Sequence, residues 1–400
     1  MTPPGTSSPA SPGNLTAGDG VGAEVVNPFH ATLSSGLAGW LAAHGVSLGF
    51  TTYTVGKVVL IGPGHGGGVA MSERSFGSAM ALRATTTGLY LSTHHQVWRF
   101  ENGLDPGQRF DGWDRLYMPR SSFVTGAVDI HDIQIDGAGR LLVAVTLYNC
   151  LAELDGRGSF SPVWRPAFID AIVNQDRCHL NGFCLEDGAP AYATLVGPSN
   201  QEGGWRALRA AGGQVIDVRT DRVVADGLSM PHTPRLHRGR LYVLEAGSGW
   251  FGWIDRASGQ FERLTWCPGF LRGLSFHGDF AVIGLSKPRN RAFAGLPLDG
   301  ELKRRGVEAG CAVYVIDLRD GAVRHTLTIT GSVEEIYDTA VLPGTGQPLL
   351  VGIEGEEIGR YIAIGPDRSQ RAAAPTPKTA ETVPASPSAS PGVSSTRFEP

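Results

Sequence analysis

The chain has 400 residues, of which 18% are charged and 55 are glycine, with a formal net charge of −4. That balance gives no electrostatic footprint for nucleic acid or an anionic membrane surface. No apolar run reaches the ~18 residues of a membrane span, and Met1-Thr-Pro-Pro-Gly lacks the basic and apolar regions of a secretory signal. Five unpatterned cysteines (Cys150, Cys178, Cys184, Cys267, Cys311) suit a reducing, cytoplasmic setting better than a disulfide framework.

Residues 1–25 are rich in Pro, Ser, Gly and Thr, and such a segment is expected to be disordered. Between Leu33 and His44, the spacing of Leu37, Trp40 and Leu41 predicts a short helix. Two apolar runs follow, Ser47 to Tyr53 and Lys57 to Ile61. They read as strands without an inner partner of their own. The glycines from Gly62 to Gly68 lack the Lys-Ser/Thr ending of a phosphate loop and read as a hairpin or a flexible rim loop.

From Ser78 onward one strand-strand-strand unit recurs six times, starting near Ser78, His131, His179, His232, Arg272 and Tyr337. In most units an inner strand ends at a glycine turn, a second apolar strand returns, and a third closes on an acidic turn. The second strands read as Leu89–Ser92, Leu141–Val145, Ala191–Thr194, Leu241–Leu244, Phe280–Ile283 and Leu349–Ile353. Residues 367–400, rich in Pro, Ser and Ala, are expected to be disordered. A unit that cannot bury its own apolar faces must stack on its neighbours. The predicted fold is therefore all-β: a single six-bladed β-propeller over residues 26–366, closed by the N-terminal strands.

Inner strands of a propeller converge on its axis. His131, His179 and His232 open three of them, and Arg272 and Tyr337 open two more. Apolar alternation aligns His131 with Asn181 and leaves His179 two residues earlier. If second strands return to the same face, His94, His95 and Glu245 join that rim. Neutral imidazole is the commonest ligand of Fe, Cu and Zn. His94, His95, His131, His179 and His232 are thus candidate ligands of a transition metal ion. Asp132 or Glu245 is a candidate general base, and Arg235 and Arg272 candidate anchors for a substrate anion. His65, His237, His277 and His325 read as solvated.

Cys178-His-Leu-Asn-Gly182, Met230-Pro-His-Thr-Pro-Arg235, Gly269-Phe-Leu-Arg-Gly273 and Gly284-Leu-Ser-Lys-Pro-Arg289 resemble a bacterial family of hypothetical proteins of unknown function. The resemblance covers nearly all of residues 26–366. A looser likeness is to axial-histidine propellers, the selenium-binding proteins and carotenoid oxygenases; this chain lacks the oxygenases' evenly spaced histidines. The expected function is a metal-dependent tailoring enzyme, such as an oxidoreductase, acting on a small molecule or peptide side chain. The alternatives are a non-catalytic propeller binding a peptide or protein on its rim, and a metal-independent lyase or hydrolase with His232 as base.

Overall fold

The computed structural model describes residues 29–288, 294–354 and 356–364. The tails expected to be disordered lie outside the described residues, as does Arg289. The described strands form six sheets, four of four strands and two of five. Their innermost strands, in chain order, are Leu82–Ala84, Ile130–Ile135, Leu180–Glu186, Pro231–His237, Phe270–His277 and Asp338–Pro343. Each touches the next, and Asp338–Pro343 touches Leu82–Ala84, so the circle is closed. This is the expected six-bladed propeller.

Closure is made by the two ends of the array. Asp338–Pro343 pairs with Val46–Thr52, which pairs with Lys57–Pro63, which pairs with Val69–Ser75. All seven residues of Val46–Thr52 are buried, because this strand sits second from the axis with sheets on both faces. The Gly64–Gly68 segment is the hairpin between the two outer strands. The expected second strand at Leu349–Ile353 is corrected. Val46–Thr52 already fills that place, so Pro348–Leu350 runs out to pair in parallel with Arg115–Tyr117 on the edge of the first blade. The polar residues after it therefore lie at the periphery. The helix forms at Leu37–His44 and buries Leu37, Trp40 and Leu41.

The core fills the wedges between blades. Leu142, Ala144 and Leu151 of one blade meet Phe183, Ala193 and Leu195 of the next, all essentially without solvent exposure. Burial of each such Leu or Phe contributes about 1.5–3 kcal/mol, so every wedge is a substantial part of the net stability. No described helix is long and apolar enough to cross a membrane.

Four inner strands lose register near their starts. The breaks fall at His131, between Leu180 and Gly182, between His232 and Arg235, and between Arg272 and Leu274. A bulge breaks the ladder and re-aims the side chains beside it. The fourth requires glycine: Gly273 has φ +71°, and a Cβ there would lie 2.5 Å from the Thr339 amide of the neighbouring inner strand. The bulge levels match the alignment of His131 with Asn181 read from alternation.

Candidate axial site

The starts of the inner strands surround a cavity of about 1050 Å³ lined by Asp129, His131, Asp176, His179, Arg272 and Tyr337, among others. Backbone strain collects here. Asp129, His179, Met230 and Thr233 have φ of 60°, 52°, 46° and 50°. Non-glycine residues held so cost about 1–3 kcal/mol each and persist only where the surroundings over-determine them.

The three expected histidines do converge. The His131 ring centroid lies 5.0 Å from that of His179, 6.0 Å from that of His232 and 5.6 Å from that of Tyr337. Each imidazole is fixed through Nδ1: His131 to Thr146 Oγ1 at 2.8 Å, His179 to Asp176 Oδ2 at 2.7 Å, His232 to Thr233 Oγ1 at 2.8 Å. Thr146 Oγ1 donates its own proton to the Leu180 carbonyl, so the network assigns the His131 proton to Nδ1. Burial pushes the pKa of His131 down to about 4 despite Asp129, and that of His232 well below its usual value with Arg272 adding to the effect. Both rings are neutral at pH 7.

Arg272 lies over the Tyr337 ring, 4.7 Å from its centroid. Burial raises the Tyr337 pKa well above its usual value, so its hydroxyl stays protonated. His232 Nε2, Arg272 Nη1 and the Tyr337 hydroxyl are sealed from solvent without hydrogen-bond partners among the described residues. Burial opposes ionisation of Asp176, but His179 outweighs it and holds the carboxyl below its usual range. Asp176 also accepts the Trp205 indole N–H at 2.8 Å.

Other expected site residues are placed elsewhere. His94 and His95 are exposed at a turn, edge to face with each other, and line no part of the cavity. Glu245 accepts the Ser229 amide at 3.1 Å and the Ser248 hydroxyl at 2.5 Å, and faces a shallow outer groove shared with Arg263. All three sit at the ends of second strands. A second strand runs about 4.8 Å farther from the axis, enough to aim its end outward. Asp132 follows the His131 bulge and points away from the cavity. It takes both arms of Arg235 at 2.7 and 2.9 Å, and the Phe183 amide at 3.0 Å. Asp132 and Arg235 therefore occupy one another. His237 stacks on Phe276, and His277 and His325 pack against Trp40, rather than being solvated. The sequence reading missed Asp176 and Trp205. An Asp three residues before a histidine, capping the turn at the His179 amide, was the available signal for the first.

Among the described residues no three His, Cys, Asp or Glu side chains are placed to hold one metal ion. The Arg272 charge beside His131 and His232 also opposes a cation there.

A family model described as "Domain of unknown function (DUF4915)" matches residues 35–351. No curated protein matches the chain. Similar solved structures include a chain of a nidogen/laminin complex, at 11% identity and TM-score 0.47, covering 75% of this chain and 99% of that one. A protein of unknown function from Bacteroides caccae has 12% identity and TM-score 0.46, covering 74% and 98%. Virginiamycin B lyase from Staphylococcus aureus has 10% identity and TM-score 0.38, covering 71% and 76%.

Proposed function

The chain belongs to the family described as a domain of unknown function (DUF4915), and we propose that it is a metal-independent lyase or hydrolase acting on a small anionic molecule in the axial cavity. The observation that carries this reading is the set of three sealed, unpartnered polar atoms on His232, Arg272 and Tyr337, beside the His179–Asp176 pair. Leaving a buried polar group unpaired costs about 1–3 kcal/mol, and such groups persist where a ligand completes them.

Asp176 orients His179 so that Nδ1–H donates to the carboxylate and Nε2 faces the cavity as general base. His232 is the weaker choice of base, because its pKa lies well below neutrality. Arg272 would anchor a carboxylate or phosphate, and Tyr337 would donate to an oxygen that gains charge. The test is turnover of a panel of carboxylate- and phosphate-bearing metabolites by chelator-treated protein, followed by mass spectrometry. A product formed by the wild type and lost in H179A is expected. Turnover that returns only when metal is added would overturn it.

One observation favours a second reading. Nδ1 of His131, His179 and His232 is occupied in each case, and orienting contacts of that kind typify metal-bound histidine. Metal analysis of the purified protein separates the two readings.

A further inference from the structure

The far ends of the inner strands surround a second cavity of about 590 Å³ at the opposite mouth of the ring. Along the last inner strand a single residue, Asp338, separates Tyr337 of the axial cavity from Thr339 of this one. Its walls mix apolar side chains, Leu82, Leu185, Leu236, Leu274 and Phe276 among them, with polar ones. Glycine turns and short acidic loops dominate this face in the sequence, so the cavity is a product of the closed ring.

Charge decides what it takes. Arg235 is neutralised by the bidentate carboxylate of Asp132. Arg83 also lines the cavity, partly buried, and its side chain makes no hydrogen bond or close ion pair among the described residues. Burial lowers its pKa, with Arg235 adding to the effect and Asp132 and Asp338 opposing it. The nearby Asp338 attracts Arg83 but makes no close ion pair with it. Its carboxyl accepts the Leu82 and Thr339 amides, and burial pushes its pKa up to about 7. Ser275 Oγ, on the same wall, is sealed from solvent with no partner.

A cation without a close ion-pair partner, an orphaned hydroxyl and leucine side chains together define a ligand with a charged head and an apolar body. We infer that this second cavity binds a monocarboxylate with a hydrocarbon body, its carboxylate on Arg83 and Ser275 and its apolar part against Leu185, Leu236, Leu274 and Phe276. The site does not depend on the chemistry assigned to the axial cavity.

The test is calorimetric titration of the full chain with octanoate, with 1-octanol as the uncharged control. Wild type is expected to bind octanoate at one saturable site. R83Q should weaken binding at least ~10-fold, the loss of one charge-assisted contact, and S275A about 3–10-fold. R272Q, altered in the axial cavity, should bind octanoate as wild type does. In carboxylate-free buffer R83Q should melt no lower than wild type, because it removes an unpaired charge. Absence of octanoate binding overturns the inference. So does equal binding by R83Q, loss of binding in R272Q, or octanol binding as tight as octanoate.

Discussion

Nδ1 of His179 lies 2.7 Å from Oδ2 of Asp176, whose other oxygen accepts the His179 amide at 2.9 Å. A single loop carboxylate thus sets the position, tautomer and orientation of this axial histidine. D176N preserves shape but presents an amide that no longer stabilises an imidazolium. Turnover should fall about 10²–10⁴-fold, the range for losing an oriented general base. Urea unfolding should show a loss of only about 1–3 kcal/mol. Full activity in D176N would remove His179 from the role of base.

The Asp132–Arg235 pair should behave as a structural element. Asp132 is almost fully buried, and its oxygens also accept the Ile133 and Phe183 amides. R235M leaves a buried carboxylate without its cation, which costs about 3–5 kcal/mol. D132N/R235M should recover part of that loss. Chemical denaturation of the three proteins measures this; an unchanged midpoint in R235M would contradict the assignment.

Buried histidine gives stability a definite pH dependence. His131 titrates at about 4 in the fold and at about 6.5 in the unfolded chain. Between those values the unfolded chain binds the extra proton, so stability is lost as pH falls from about 6.5 toward 4. The slope is up to ~1.4 kcal/mol per pH unit per histidine. His232 acts in the same direction. Asp338, raised to about 7, acts in the opposite one: its ionisation in the unfolded chain costs stability as pH rises from about 4 to 7. Comparing wild type with H131Q isolates the histidine: the stability of H131Q should fall less steeply between pH 6.5 and 4. Parallel curves would mean that the fold does not lower the pKa of this ring.

Ring closure should be required for folding. Removing residues before Lys57 deletes Val46–Thr52 from between Asp338–Pro343 and Lys57–Pro63. In the full chain, Phe50 of that strand is 1% exposed, and F50A should cost about 3–5 kcal/mol. Circular dichroism of the truncated chain should show no cooperative melt. A sharp transition near that of wild type would show that the ring closes without this strand.

His131, His179 and His232 were legible as one site because each opens a repeat, and repeats fix which residues share a level on the axis. Glu245, His94 and His95 were misplaced by the same logic. Strand direction says which face a residue reaches, but not how far from the axis it lies or which way its side chain turns. The Asp132–Arg235 partnership joins residues 103 positions apart across two blades, and alternation within one strand cannot reveal it.

The sequence by itself determined the number of blades, the closure by N-terminal strands and the level of the axial histidines. These follow from local apolar periodicity and glycine turns, which each repeat carries whole. Only the tertiary structure decided which polar groups satisfy one another and which remain unpaired. Pairing of charges is a short-range, orientation-dependent contact between distant repeats, so Asp132 and Arg235 became a structural pair. Arg272 and Tyr337 were left facing the axial cavity, each with a polar atom that no described residue hydrogen-bonds.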